Sequence, residues 1–172
     1  GRTLYVANPD SGSVSVLDVA TRSKLAEIAV GNTPRTLALS PDESRLLVAC
    51  QESNHVAVVD TLMLRVHQLI PVSAEPYGVV TGIRGHFAYV TSAATGVVDI
   101  IQFDPAPPGN GEVVDRIPVE AKPAGVARSA NGRWLYVTHL RSGRVSVIDW
   151  FARAVVDVVD TGVDSNTAQR IA

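Results

Sequence analysis

Residues 2–43 read RTLYVANPDSGSVSVLDVATRSKLAEIAVGNTPRTLALSPDE, and the rest of the chain repeats this unit three more times with small edits. Leu4-Tyr5-Val6-Ala7-Asn8 returns as Leu46-Leu47-Val48-Ala49-Cys50, as Ala88-Tyr89-Val90-Thr91-Ser92 and as Leu135-Tyr136-Val137-Thr138-His139. Val14-Ser15-Val16-Leu17-Asp18 returns in the same register at 56–60, 98–102 and 145–149. A third phrase, Pro34-Arg35-Thr36-Leu37-Ala38, recurs at 76–80 and 123–127. Three phrases in one register exclude coincidence. A period of about 40 to 45 residues, each holding four short strands, is the pattern of propeller blades.

The spacing therefore predicts an all-β chain: a β-propeller of four repeats, at about 1–43, 44–85, 86–132 and 133–172, each forming a four-stranded antiparallel blade. Gly1-Arg2-Thr3-Leu4 aligns with Gly132-Arg133-Trp134-Leu135, and Gln169-Arg170-Ile171-Ala172 with Arg35-Thr36-Leu37-Ala38, so both ends fall inside a blade. A closed propeller leaves no sheet edge exposed. The expectation is a partial propeller truncated at both ends, belonging to a larger one of seven or eight blades.

Within each copy the strands follow from local chemistry. Residues 3–7 run into Asn8-Pro9-Asp10-Ser11-Gly12, a cluster of turn formers. Asp18, Asp60 and Asp149 each follow the next strand, where an Asp side chain accepts backbone N–H groups as an Asx-turn, so their recurrence reads as structural. Residues 24–30 form an outermost strand. Residues 35–40 form an innermost strand of small side chains, and both faces are apolar because each sheet lies between two others. The third copy carries about five extra residues within Phe103 to Glu112, with three prolines that prevent regular pairing, as an outer-rim loop open to surface variation or partner docking. The fourth copy carries extra residues between Thr161 and Thr167.

Composition excludes several classes. With 46% hydrophobic residues and mean hydropathy +0.16 the chain is not disordered. A net charge of −2 leaves no basic footprint for nucleic acid. No run approaches the ~18 apolar residues of a membrane span. The single cysteine, Cys50, rules out an internal disulfide, a CxxC zinc pair and an attached c-type haem within these residues. No GxSxG, P-loop, HExxH, GxGxxG or EF-hand pattern is present, so no catalytic residues are assigned.

Candidate binding residues are those that change between copies while their flanks repeat. The loops near the propeller axis gather Asn8, Cys50, Ser92 and His139 from one set, and Arg35, Glu75, Tyr77, Lys122 and Arg170 from the other. His139 fits a metal or haem ligand or a proton carrier, and equally a hydrogen-bonded loop histidine. It is the sole metal candidate, because His55, His67 and His86 share no ligand spacing with it. Cys50 reads as a small buried side chain or a nucleophile. Arg35, Lys122 and Arg170 focus positive potential on an anionic ligand, or pair with Glu75, Glu120 and Asp164.

The segments LYVAN, VSVLD and AEIAVGNTPRTLALSPDE, with LYVTH and VSVID in the last copy, resemble the YVTN-type β-propeller repeats over the whole chain. The resemblance implies a bacterial, exported protein, periplasmic or extracellular. Such propellers serve as binding platforms, as lactonase-like enzymes or as haem or copper redox domains. LYVTHLRSGRVSVID also resembles propellers joined to di-haem cytochrome c modules, which implies haem or copper in the full-length protein and a cytochrome c domain or subunit as partner, with no cofactor inside this segment. The leading expectation is a noncatalytic binding or scaffolding propeller presenting its axial face and rim loops to a protein or small ligand. The alternatives are a redox propeller and a lactonase-like hydrolase.

Overall fold

The computed structural model describes residues 2–104 and 109–162. They form fifteen strands in four antiparallel sheets. Sheet 1 holds β1 (Thr3–Asn8), β2 (Ser13–Asp18) and β3 (Ser23–Ala29). Sheet 2 holds β4 (Pro34–Leu39), β5 (Arg45–Cys50), β6 (His55–Asp60) and β7 (Arg65–Pro71). Sheet 3 holds β8 (Pro76–Thr81), β9 (Phe87–Ser92), β10 (Val97–Phe103) and β11 (Gly111–Pro118), and sheet 4 holds β12 (Pro123–Arg128), β13 (Trp134–His139), β14 (Arg144–Asp149) and β15 (Ala154–Asp160). Sheets 2 to 4 have four strands, while sheet 1 has three among the described residues, because each innermost strand comes from the tail of the preceding sequence repeat. The residues expected to form a further innermost strand, with Arg170 among them, lie outside the described residues, as do 163–167 and the centre of the proline-rich insertion.

Burial follows the pleat. Val14, Val16 and Ile28 of sheet 1 meet Leu46, Val48 and Val59 of sheet 2. Leu47, Val56 and Val58 on the other face of sheet 2 meet Val79, Val90 and Ile101 of sheet 3. Val98, Ile100 and Ile117 then meet Leu135, Val137 and Ile148 of sheet 4. Sheets 2 and 3 are thus covered on both faces, as the continuous apolar phrases require. The outer faces of sheets 1 and 4 are open: Leu4 is 50% exposed, whereas Leu46 at the equivalent position is 1% exposed.

Three devices recur with the repeat. The Asp at the end of the third strand caps the next turn: Asp60 Oδ1 accepts Leu62 N and Met63 N, and Asp149 Oδ1 accepts Phe151 N. The outermost strand of every sheet carries a bulge, between Val16/Leu17, Val58/Val59, Ile100/Ile101 and Val147/Ile148 of its partner, leaving Leu25 and Val156 exposed at the rim. A bulge adds local twist. The innermost strands β4, β8 and β12 converge closely enough that a Cβ at Gly78 would lie 2.3 Å from Ala124 O, so only glycine fits there. Thr91 Oγ1 seals the same approach, accepting Gly78 N at 2.8 Å and donating to Ala124 O at 2.5 Å.

Candidate functional site

The chain crosses from each outermost strand to the next innermost one at a single end of the stack. Thr33, Glu75 and Lys122 hold the same place in successive crossovers and share a left-handed backbone, with φ of 52°, 57° and 55°. Their carbonyls accept Gln51 N, Ala93 N and Leu140 N, which ties each crossover to the neighbouring hairpin. On this repeated backbone the side chains differ. Arg35 is exposed, donates from Nε to Gln51 Oε1 and places its guanidinium 5.7 Å from the centre of the Tyr77 ring, linking sheets 2 and 3. Lys122 Nζ reaches Glu75 Oε2 at 3.3 Å, bridging the crossovers into sheets 3 and 4. Arg35, Tyr77, Glu75 and Lys122 therefore form one partly exposed strip over three sheets.

Asn8, Cys50, Ser92 and His139 are not part of that strip. Each stands at the end of the strand that follows the innermost position of its sheet; the pleat aims Cys50, Ser92 and His139 at the preceding sheet instead of at the axial opening, and half-buried Asn8 bonds within sheet 1. Cys50 and Ser92 are fully buried and His139 is 5% exposed. Each faces a residue seven positions later, and together these form polar pairs in three of the four sheets. Asn8 Nδ2 donates to Ser15 Oγ at 2.9 Å, Ser92 Oγ donates to Asp99 Oδ2 at 2.7 Å, and His139 Nε2 lies 2.9 Å from Ser146 Oγ. In sheet 2 the pair is apolar, Cys50 with Ala57. Burial pushes the Cys50 thiol up to about 11, which fits a packed side chain and not a nucleophile. The Nδ1 of His139 has no hydrogen-bond partner among the described residues. No cluster of three His, Cys, Asp or Glu able to hold a metal occurs among the described residues.

Two features escaped the sequence reading. The first is Asp99, fully buried between sheets, which accepts Ser73 N at 3.1 Å, Ser73 Oγ at 2.8 Å, Ser92 Oγ and Arg116 Nε at 3.0 Å. Its signal was the change of Ser15 and Ala57 to Asp at one repeat position. The second is an aromatic groove at the end opposite the crossovers, between sheets 3 and 4, where the Trp150 ring lies 4.6 Å from Phe87 and 5.7 Å from Tyr89. Trp150-Phe151 stands where earlier copies have Val19-Ala20 and Thr61-Leu62. Of the expected ion pairs, Lys122–Glu75 forms, whereas Glu120 is taken by Arg144 at 2.9 Å, which holds its carboxyl below the usual range.

Against known proteins, the family model "Lactonase, 7-bladed beta-propeller" matches residues 1–62. The Kuenenia stuttgartiensis hydrazine synthase structure superposes with a TM-score of 0.84 at 28% identity, over 92% of this chain and 46% of that one. The fold is a partial β-propeller. The dihydro-heme d1 dehydrogenase NirN in complex with DHE follows at 0.78 and 21% identity, covering 95% of this chain and 36% of that one. A functionally unknown protein from Desulfotomaculum acetoxidans gives 0.74 at 16%, covering 93% and 56%. No curated protein matches the chain. The chain thus spans about half or less of the length of the two enzymes it superposes on. Among the described residues no helix is long and apolar enough to cross a membrane.

Proposed function

We propose that this chain is the binding or scaffolding part of an exported bacterial propeller of the YVTN type, with seven or eight blades in all, and that it presents the crossover end to a protein or small ligand without catalysing a reaction. The observation that carries this reading is the strip of Arg35, Tyr77, Glu75 and Lys122. Four nonrepeating, partly exposed side chains bridge three sheets over a backbone whose conformation repeats at every crossover. A scaffold needs the backbone, and the variable side chains are free for recognition. The cation over the Tyr77 ring and the Glu75 ion pair bias these side chains toward one arrangement across the three sheets. The test is alanine replacement of Arg35 and Tyr77 in the intact protein, with the partner recovered by photo-crosslinking at position 35. A loss of affinity of tenfold or more, about 1.4 kcal/mol, is expected. Unchanged affinity overturns the reading.

A second reading, a redox propeller whose full-length protein carries or contacts haem or copper, draws on the likeness to hydrazine synthase across 92% of the chain. His139 does not support it directly, because its Nε2 is engaged by Ser146 inside a sheet interface. An absorption spectrum and metal analysis of the intact protein distinguish the two, a colourless, metal-free protein favouring the binding platform. Lactonase-like hydrolysis is supported by the family match over residues 1–62, but the carboxylate and imidazole it calls on are committed elsewhere, Glu75 to Lys122 and His139 to Ser146.

A further inference from the structure

The seams between sheets open at the end opposite the crossovers, and equivalent positions fill each mouth differently. At the seam between sheets 1 and 2 a hollow of about 280 Å³ is lined by Thr3, Tyr5, Glu43 and Leu62, with Thr61 beside them. At the seam between sheets 2 and 3 the mouth is plugged by Arg45, 3% exposed, whose guanidinium sits 4.7 Å over the Phe103 ring. At the seam between sheets 3 and 4 there is an open groove of about 440 Å³. Its walls gather Phe87, Tyr89, Trp150 and Phe151, four of the nine aromatic residues in the sequence. The fold does not require all four: the seam between sheets 1 and 2 has Thr3, Thr61 and Leu62 where this one has Phe87, Trp150 and Phe151, keeping only a tyrosine, Tyr5, in common, and an arginine fills the mouth between sheets 2 and 3.

The groove is also built to be met from outside. Phe151 is 76% exposed and Ile83, on the facing turn, is 45% exposed. Trp150 is braced from behind by Phe87 at 4.6 Å and Tyr89 at 5.7 Å and flanked by Phe151 at 5.9 Å, so its ring is fixed before anything binds. The charge is one-sided. Arg84 and His86 stand in the lining, no carboxylate does, and Arg84 makes no ion pair among the described residues. The Arg153 guanidinium adds a further cation 5.9 Å from the Trp150 ring, although Asp115 neutralises it.

We propose that this groove is a second binding site, separate from the crossover end, for a small planar aromatic molecule bearing an anionic group. The ring slots between Phe151 and Ile83 against the edge of Trp150, and the anion is held by Arg84 with His86 beside it. A volume of this size and a mostly apolar lining with one or two placed polar groups match small-molecule sites in general.

The probe is naphthalenesulfonate, titrated into the intact protein by calorimetry beside naphthylmethanol and naphthylmethylammonium. The expected result is saturable binding of the sulfonate at one site, about tenfold tighter than the ammonium. Phe151→Ala weakens all three compounds, and Arg84→Gln weakens only the sulfonate, by roughly three- to tenfold. Both side chains are exposed, so neither replacement disturbs folding, which an unchanged thermal midpoint verifies. Equal affinity for sulfonate and ammonium, an affinity unmoved by Phe151→Ala, or affinity confined to a peptide partner with none for naphthalenesulfonate each overturns the assignment. The crossover replacements Arg35→Ala and Tyr77→Ala leave naphthalenesulfonate binding unchanged, so this site stands or falls apart from the proposed function.

Discussion

Replacing Asp99 with Asn isolates the polar joint between sheets. Oδ1 of Asp99 faces Ser73 Oγ and Arg116 Nε, and Oδ2 faces Ser73 N and Ser92 Oγ. An amide has nearly the same shape but turns one of the two oxygens into a donor. The serine hydroxyls rotate to accept; the backbone N–H of Ser73 and the guanidinium do not. Whichever way the amide sits, either Ser73 N or Arg116 Nε loses residue 99 as its acceptor. The cheaper arrangement turns the amide toward Arg116, whose side chain is 56% exposed and whose Nε keeps Ser73 Oγ at 3.1 Å, and leaves the half-buried Ser73 N–H bonded. The remaining loss is the charge-assisted part of the network, about 2 kcal/mol. In a chain of this length that lowers the thermal midpoint by roughly 4–8 °C. Arg116→Ala alone costs less, about 0.5 kcal/mol, because that partner is half in water. Urea titration followed by circular dichroism, with Ser92→Ala combined in a double-mutant cycle, reads both the cost and its coupling. An Asp99→Asn protein within about 0.5 kcal/mol of the parent, or one less affected than Arg116→Ala, refutes the reasoning.

Other outcomes follow from single contacts. Gly78→Ala drives a Cβ to 2.3 Å from Ala124 O, which is backbone and cannot swing away; a loss of at least about 3 kcal/mol is expected, visible as reduced folded yield or midpoint. Lys122→Ala removes an ion pair whose side chains are 38% and 45% exposed and changes stability by no more than about 0.5 kcal/mol, so any larger effect of it on partner binding reports recognition. Cys50, held protonated by burial with its pKa raised from 9.0 to about 11, resists alkylation in the folded protein. Over that interval the folded state binds the proton more tightly than the unfolded one, so stability falls as pH rises from about 9 through 11, and Cys50→Ala flattens that part of the profile. His139→Asn keeps a bond to Ser146 by the geometry of Asn8 with Ser15, and is milder than His139→Leu in the same melt.

The repeat made the sheets legible because burial in a propeller is periodic. Leu46, Leu47 and Val48 are apolar on both faces since sheet 2 is covered on both, and the recurring Asp18, Asp60 and Asp149 announced turns that need an acceptor. The site was only half legible. Arg35, Tyr77, Glu75 and Lys122 could be placed together because crossovers are fixed by the phase of the repeat. Loop position alone points Cys50, Ser92 and His139 at the same opening, but the pleat sends a side chain to one face or the other within a single residue, and theirs turn into the seam. Asp99 and the Trp150 groove went unseen for a different reason. Their partners, Ser73 and Arg116 for one and Phe87 and Tyr89 for the other, lie in other strands, and only packing brings them into contact.

The most direct test of the binding-platform account is a photo-crosslinking scan of the intact protein in extracts of its own host. A benzophenone side chain is placed in turn at Arg35, Tyr77 and Lys122 on the crossover strip, and at Leu62, Leu25 and Met63, which are exposed elsewhere. The account predicts a discrete adduct from the three strip positions and none from the others. Adducts arising equally from Leu62, Leu25 and Met63, or from those alone, would contradict it.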